Sequence, residues 1–236
     1  MSIAPEERVL DWKPNHDERS RDYAIRPTLR SSIKRKDRLW TPGPILDQGR
    51  EGACVGFAWA AEAFAKPIPV DLSRMKAHTP STHNAYASFL YGQARYIDEW
   101  PGEQYEGTSV LAGAKASANM GTVREYRWAF SMDDLIDSVI AKGPVVIGLN
   151  WYSGMYNAPN GVLKRSGTLV GGHALLVVGF NLASTKIPGK STLIIQNSWG
   201  KSWGINGLAE ITVEDLSALL SQQGEACVPT RRSYGR

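Results

Sequence analysis

Four residues have the types and spacing for acyl-transfer chemistry: Gln48, Cys54, His173 and Asn197. In LDQGREGACVGFA a glutamine precedes a lone cysteine by six residues, and an uncharged stretch then runs toward Lys66-Pro67. If Cys54 opens a helix there, unpaired amides and the helix dipole favour its thiolate. Such a nucleophile needs a cationic partner that can protonate the leaving group. His173, in GGHALLVVG, is the candidate. An imidazole in turn needs a third group to hold its tautomer and orientation. Asn197, in QNSWGKSWG, offers a side-chain oxygen for that purpose. Gln48 would add an amide donor to the backbone N–H at Cys54, together forming an oxyanion hole.

Each residue alone has an ordinary reading. A single cysteine is usually a small core hydrophobe, a histidine among apolar neighbours a hydrogen-bonded core residue, and Asn-Ser a turn. Order and flanks reverse this. DQGREGAC, then GGHALLVVGF, then IIQNSWGKSWGINGLAEI resembles the papain-like cysteine peptidases over roughly residues 42–213. His173 and Asn197 follow Cys54 by 119 and 143 residues, against about 130–150 for the family signature. The stretch WKPNHDERSRDY is similar to the leader of bacterial members.

The resemblance implies a role for each matching position. Cys54 is the nucleophile, His173 the general acid and base, Asn197 the group orienting it, Gln48 the oxyanion donor, and Trp199 the indole shielding the His–Asn contact. Gly107 corresponds to the glycine whose backbone pairs with an extended substrate. Thr108, Ser109, Gly148 and Ala174 fall near the pocket for the side chain second from the scissile bond. The implied function is a thiol endopeptidase working through an acyl-enzyme on protein or peptide substrates, with no metal or organic cofactor. A deamidase or transferase effector, or a degenerate peptide-binding module, are the alternatives. The chain also departs from the family. The usual CGSCW reads EGACV, so Glu51 replaces a disulfide cysteine and Val55 an aromatic residue. Gly172 stands where many members have a polar residue, and Cys227 is read as a free thiol.

The elements that must position these residues are of two kinds. VGFAWAAEAFA, HNAYASFLYGQARYIDEW and TSVLAGAKASANMG read as helices, the last closed by Gly121, and Ser131 starts a fourth. PVVIGLN, GVLKR, HALLVVGFN, STLIIQN and LAEITV read as strands. Helices first and strands second predict an α+β fold of two unlike lobes, helical over about 41–140 and β-barrel-like over about 141–236, with the cleft between. Residues 1–40 read as a leader arm, a short propeptide or plug, with ten Lys/Arg against seven Asp/Glu. Trp12, Tyr23 and Ile25 are its candidate anchors, leaving the charged residues in water.

Composition narrows the remaining classes. Hydrophobic residues make up 42% and charged residues 21%, as in an ordinary globular protein. No apolar run approaches the roughly 20 residues that span a bilayer, and the charged start does not read as a signal peptide. The net charge of +4 lies mostly in the mixed-sign arm, which argues against a nucleic-acid partner. Two cysteines with no metal-ligand spacing suit a reducing compartment, so a cytoplasmic location and no membrane partner are expected.

Overall fold

In a computed structural model, which describes residues 3–26, 29, 33–75, 79–98 and 106–234, the first helix is buried along its whole length. This helix, α1 (Cys54–Phe64), is apolar or small on every face but for Glu62, which accepts from Arg232 Nε at 2.6 Å. Helices α2 (His83–Ile97) and α3 (Val110–Asn119) pack around it. Ser109 caps α3 by accepting the Ala112 N–H at 3.1 Å, so the chain turns sharply into the helix from the loop beside the cleft. Val55 and Trp59 press on Gly113 of α3, where a Cβ would collide with both. The side chain next to Cys54 therefore faces the helical lobe.

The strands form one antiparallel seven-stranded sheet. They are β1 (Arg38–Leu39), β2 (Val123–Trp128), β3 (Val145–Tyr152), β4 (Leu169–Asn181), β5 (Thr192–Gln196), β6 (Leu208–Thr212) and β7 (Glu225–Arg232). Their order is β2-β7-β3-β4-β5-β6, with β1 on β4. Helices α4 (Met132–Ala141) and α5 (Val213–Leu220) pack against this sheet. Alternation along the strands makes two cores. Val146, Leu176 and Val178 join the cluster around α1–α3. Ile147, Leu175 and Val177 join a second cluster with Leu135, Val139 and Leu216 of α4 and α5. This is the two-lobed α+β architecture expected.

Three local expectations fail, each for a local reason. GVLKR is not a strand: Asn160 and Gly161 have φ of 55° and 69°, and only Val162 bridges, to Glu210. LAEITV stops at Thr212 because that hydroxyl accepts the Asp215 N–H at 3.0 Å and starts α5. The separation of helices from strands is incomplete, since β2 lies between α3 and α4 and pairs with β7 near the chain's end. The last two residues of the second expected helix, Glu99 and Trp100, lie outside the described residues.

Candidate active site

Cys54 is the first residue of α1, and His173 lies on β4, against which α1 packs. In the β3–β4 register Leu149 faces His173 and Gly148 faces Ala174. Asn197 follows β5, whose pairing with β4 brings it alongside: His173 Nε2 is 2.8 Å from Asn197 Oδ1. That oxygen also accepts the Ser198 N–H at 2.8 Å, which fixes it as the acceptor end of the amide. In the neutral ring the proton then sits on Nε2. The Nδ1 lone pair, buried and without a partner, is left to face the site. Trp199 covers the contact, its ring centroid 4.9 Å from that of His173, and Trp151 closes another side at 4.8 Å.

Gln48 is joined to the same assembly. Its N–H donates to the Ser198 carbonyl at 2.9 Å, and its Oε1 accepts from the Ser198 hydroxyl at 2.7 Å. The side-chain amide donates to Glu51 O at 2.8 Å and to Val9 O at 3.3 Å. Val9 belongs to the leader arm.

The arm runs through the cleft. The Trp12 N–H donates to Gly172 O at 3.0 Å, Lys13 N–H to Thr108 O at 3.1 Å, and Thr108 N–H to Asp11 O at 3.2 Å. Upstream, the buried Arg8 pairs with Asp47 and donates to the carbonyls of Gly49 at 3.1 Å and Trp199 at 3.2 Å. Downstream, Ile25 is buried and donates its N–H to Trp128 O at 2.8 Å. Tyr23, the third expected anchor, stays 54% exposed beneath the Arg127 guanidinium.

Several substrate positions are placed differently from expectation. Pairing with the extended arm is made by Thr108, not Gly107, whose N–H is taken by the Tyr91 hydroxyl at 3.0 Å. The side chains of Thr108 and Ser109 are turned to structural work, one donating to Asp98 Oδ2 at 2.6 Å and the other capping α3. Gly148 lies against the Trp12 indole, where a Cβ would collide with it, and Ala174 lends its N–H to the Cys54 sulfur. Sequence reasoning missed Arg8, Asp11 and Glu225. The first two lay in a segment without periodicity, and the only signal for Glu225 was an acid opening the apolar run ACV.

Burial dominates the electrostatics, with the arm seated. Burial pushes the Cys54 thiol up to about 11, against the opposing pull of the N–H groups of Ala174, Asp11 and Val55. Burial drives His173 down to about 4, the Asn197 oxygen opposes this, and repulsion from Arg8 adds to it. With the arm seated, the neutral thiol and neutral imidazole are the stable forms, although Cys54 does begin a helix. Among the described residues, no group of His, Cys, Asp and Glu is placed to hold a metal ion, and no helix is long and apolar enough to cross a membrane.

A helical lobe and a β lobe meeting at a Cys, His, Asn and Gln constellation define a papain-like protein. The chain belongs to the papain family of cysteine proteases, whose family model matches residues 82–225. It is 28% identical over 200 residues to Cathepsin J of Rattus norvegicus, covering 71% of this chain and 56% of that protein. It is 34% identical over 141 residues to Cathepsin Q of the same species, covering 56% of this chain and 38% of that protein. It thus spans about half the length, or less, of these two curated relatives. Among solved structures, Xylellain, a cysteine protease from Xylella fastidiosa, superposes with a TM-score of 0.69 at 19% identity, covering 96% of this chain and 97% of that one. Digestive procathepsin L2 from Tenebrio molitor gives 0.59 at 18% identity, covering 97% and 80%. The family match begins after Cys54, so the reading of Gln48 and Cys54 rests on the geometry above.

Proposed function

We propose that this chain is a thiol endopeptidase held in check by its own arm. The observation that carries the reading is the His173–Asn197 contact beside a cysteine at the first position of α1. Once the arm leaves, water and substrate reach the site, and the thiol gives its proton to His173 Nδ1. The sulfur attacks the peptide carbonyl carbon while Gln48 and the Cys54 N–H hold the oxygen. Nδ1–H then protonates the leaving amine as the C–N bond breaks. Water attacks the thioester, giving a proton back to Nδ1, and the C–S bond breaks to release the acid. Asn197 keeps the ring in the tautomer these steps require.

The arm occupies the places a substrate would need: Val9 O takes the Gln48 amide, and Asp11 and Trp12 take the cleft-edge backbone at Thr108 and Gly172. Burying one indole stabilises docking by about 4–6 kcal/mol. Ordering six residues costs about 6–12 kcal/mol, so Trp12 needs Arg8 and the backbone pairs to hold the plug. Two free thiols suit work in a reducing compartment such as the cytoplasm. The test is labelling by an epoxide thiol-peptidase inhibitor together with peptide hydrolysis, using Cys54→Ala as the blank. Labelling without hydrolysis of any peptide in a broad library would leave a live thiol and refute the peptidase reading.

A further inference from the structure

Arg8 is seated on acceptors that all belong to the body of the protein. Its Nη1 donates to Asp47 Oδ1 and to Gly49 O at 3.1 Å, its Nη2 to Trp199 O at 3.2 Å and to Asp47 Oδ2 at 3.5 Å. Both ends of the guanidinium fork are thereby met twice. The acceptors are held without help from the arm. Asp47 and Trp199 form an antiparallel bridge, Asp47 Oδ1 accepts the Gly49 N–H at 3.0 Å, and the Asp47 N–H donates to Asn84 Oδ1 at 3.2 Å. The Arg8 side chain is 4% exposed but that of Asp47 is 44% exposed, so the carboxylate can stay hydrated when the seat is empty. A cavity of about 550 Å³ opens beside it, lined by Arg8, Asn157, Trp199 and Trp203. None of the acyl-transfer steps uses Asp47.

This seat and the Trp12 pocket lie on opposite sides of the reacting centre. Between them along the arm, Val9 O takes the Gln48 amide and the Asp11 N–H reaches the Cys54 sulfur. His173 must give its proton to the leaving amine, and Trp199 packs on that imidazole. The departing half of a peptide therefore passes the seat at Trp199. We propose that Asp47, with the carbonyls of Gly49 and Trp199, is a guanidinium subsite for that half: once the arm is out, the site favours peptides with arginine at the first or second position after the scissile bond. The inference rests on the peptidase reading of the site and names the substrate class for it. A guanidinium pairs with a carboxylate through two parallel hydrogen bonds and keeps further N–H groups for the two carbonyls. A lysine meets the carboxylate as a point charge and cannot span all three acceptors. A leucine there would displace water from them and offer no donor in return.

The test uses the full chain with Arg8→Ala and Trp12→Ala, which removes two anchors of the arm, combined with Cys54→Ala for binding measurements. Labelled peptides that differ only in Arg, Lys or Leu at the first or the second position after the scissile bond are compared by fluorescence anisotropy. At one of the two positions the arginine peptide is expected to bind about tenfold tighter than the leucine peptide, the worth of one charge-assisted hydrogen bond, with lysine between them. The near-isosteric Asp47→Asn, whose oxygen still accepts the Gly49 N–H, should bring arginine down to the leucine level. Equal binding of arginine and leucine at both positions, no binding of any peptide, or an arginine preference that survives Asp47→Asn overturns the assignment. Hydrolysis by the Arg8→Ala/Trp12→Ala chain with Cys54 intact is read separately, the cut site being assigned by mass spectrometry. Arginine-selective binding without cleavage refutes the peptidase reading and not the subsite. Cleavage in which arginine after the bond gives no advantage in kcat/KM refutes the subsite and not the peptidase.

Discussion

Nε2 of His173 lies 2.8 Å from Oδ1 of Asn197, and the Trp199 ring covers them both. In the proposed mechanism the asparagine touches no substrate and holds a ring whose other nitrogen does the chemistry. In a Trp12→Ala background, Asn197→Ala should lower kcat about 100-fold with little change in KM, since small misplacements of a reacting group cost that much. Steady-state kinetics with one peptide decides it. A loss confined to KM would place Asn197 in binding.

The two cysteines should separate cleanly. Cys54→Ala should abolish covalent labelling and turnover with its melting temperature nearly intact. Cys227, buried in the sheet behind Glu225, should tolerate alanine with most activity kept and about 1 kcal/mol of stability lost. Mass spectrometry after inhibitor labelling reads both.

Arg8 is the arm's upstream anchor, so Arg8→Ala should speed labelling of Cys54 about tenfold, and deleting roughly the first 35 residues should speed it further, because an intramolecular competitor acts at high effective concentration. With the arm seated, burial pushes the thiol up to about 11. The full chain should therefore alkylate slowly at neutral pH, with a rate that climbs far into the alkaline range. The displaced forms should level off at lower pH, where a thiolate beside an imidazolium is already formed. A truncation that melts earlier but labels no faster would end the plug idea.

Glu225 ties stability to pH. Its value is raised from 4.5 to about 7 by burial, with the Trp12 indole and the Val110 N–H opposing. A raised group contributes stability that is fully present below its unfolded value and lost as pH climbs through the folded one. Glu225→Gln removes that loss. Relative to the parent chain, the variant should melt higher at about pH 8 than at about pH 5, the gap opening between the two values. A gap that stays constant with pH would mean that the carboxylate is not buried in solution.

Arg232 and Glu62 form an ion pair almost sealed from water, their side chains 5% and 2% exposed. The same guanidinium also donates to the carbonyls of Lys142, Pro144 and Pro229, each at 2.8 Å. Arg232→Met should cost about 3–5 kcal/mol, because it strands a buried carboxylate. Thermal unfolding of the Arg232→Met and the double Arg232→Met/Glu62→Gln chains measures it, and the double variant should recover part of the loss.

Much of the site was legible because its signals are local. A helix beginning at Cys54 follows from small and apolar residues after a glycine-rich loop. β4 and β5 follow from HALLVVGFN and STLIIQN, and together they place His173 and Asn197 side by side. β2 (VREYRW) and β7 (EACVPTRR) show no clean alternation of apolar and charged residues and became strands by pairing, β2 with β7 and β7 also with β3, contacts between distant segments that no local propensity reports.

The sequence by itself determined the family and the two kinds of lobe, and it singled out the four residues proposed for the reacting centre, because residue type, order and flanking turns are properties of the chain. Tertiary structure alone decided the rest. It put Arg8, Asp11 and Trp12 across the cleft, moved the backbone pairing from Gly107 to Thr108, and laid Glu225 under an indole more than two hundred residues away in the chain. It also buried Cys54 completely, and that burial pushes the thiol up against the pull of its helix terminus. A helix terminus favours a thiolate only where water or a cation can share the charge, and the seated arm removes the water.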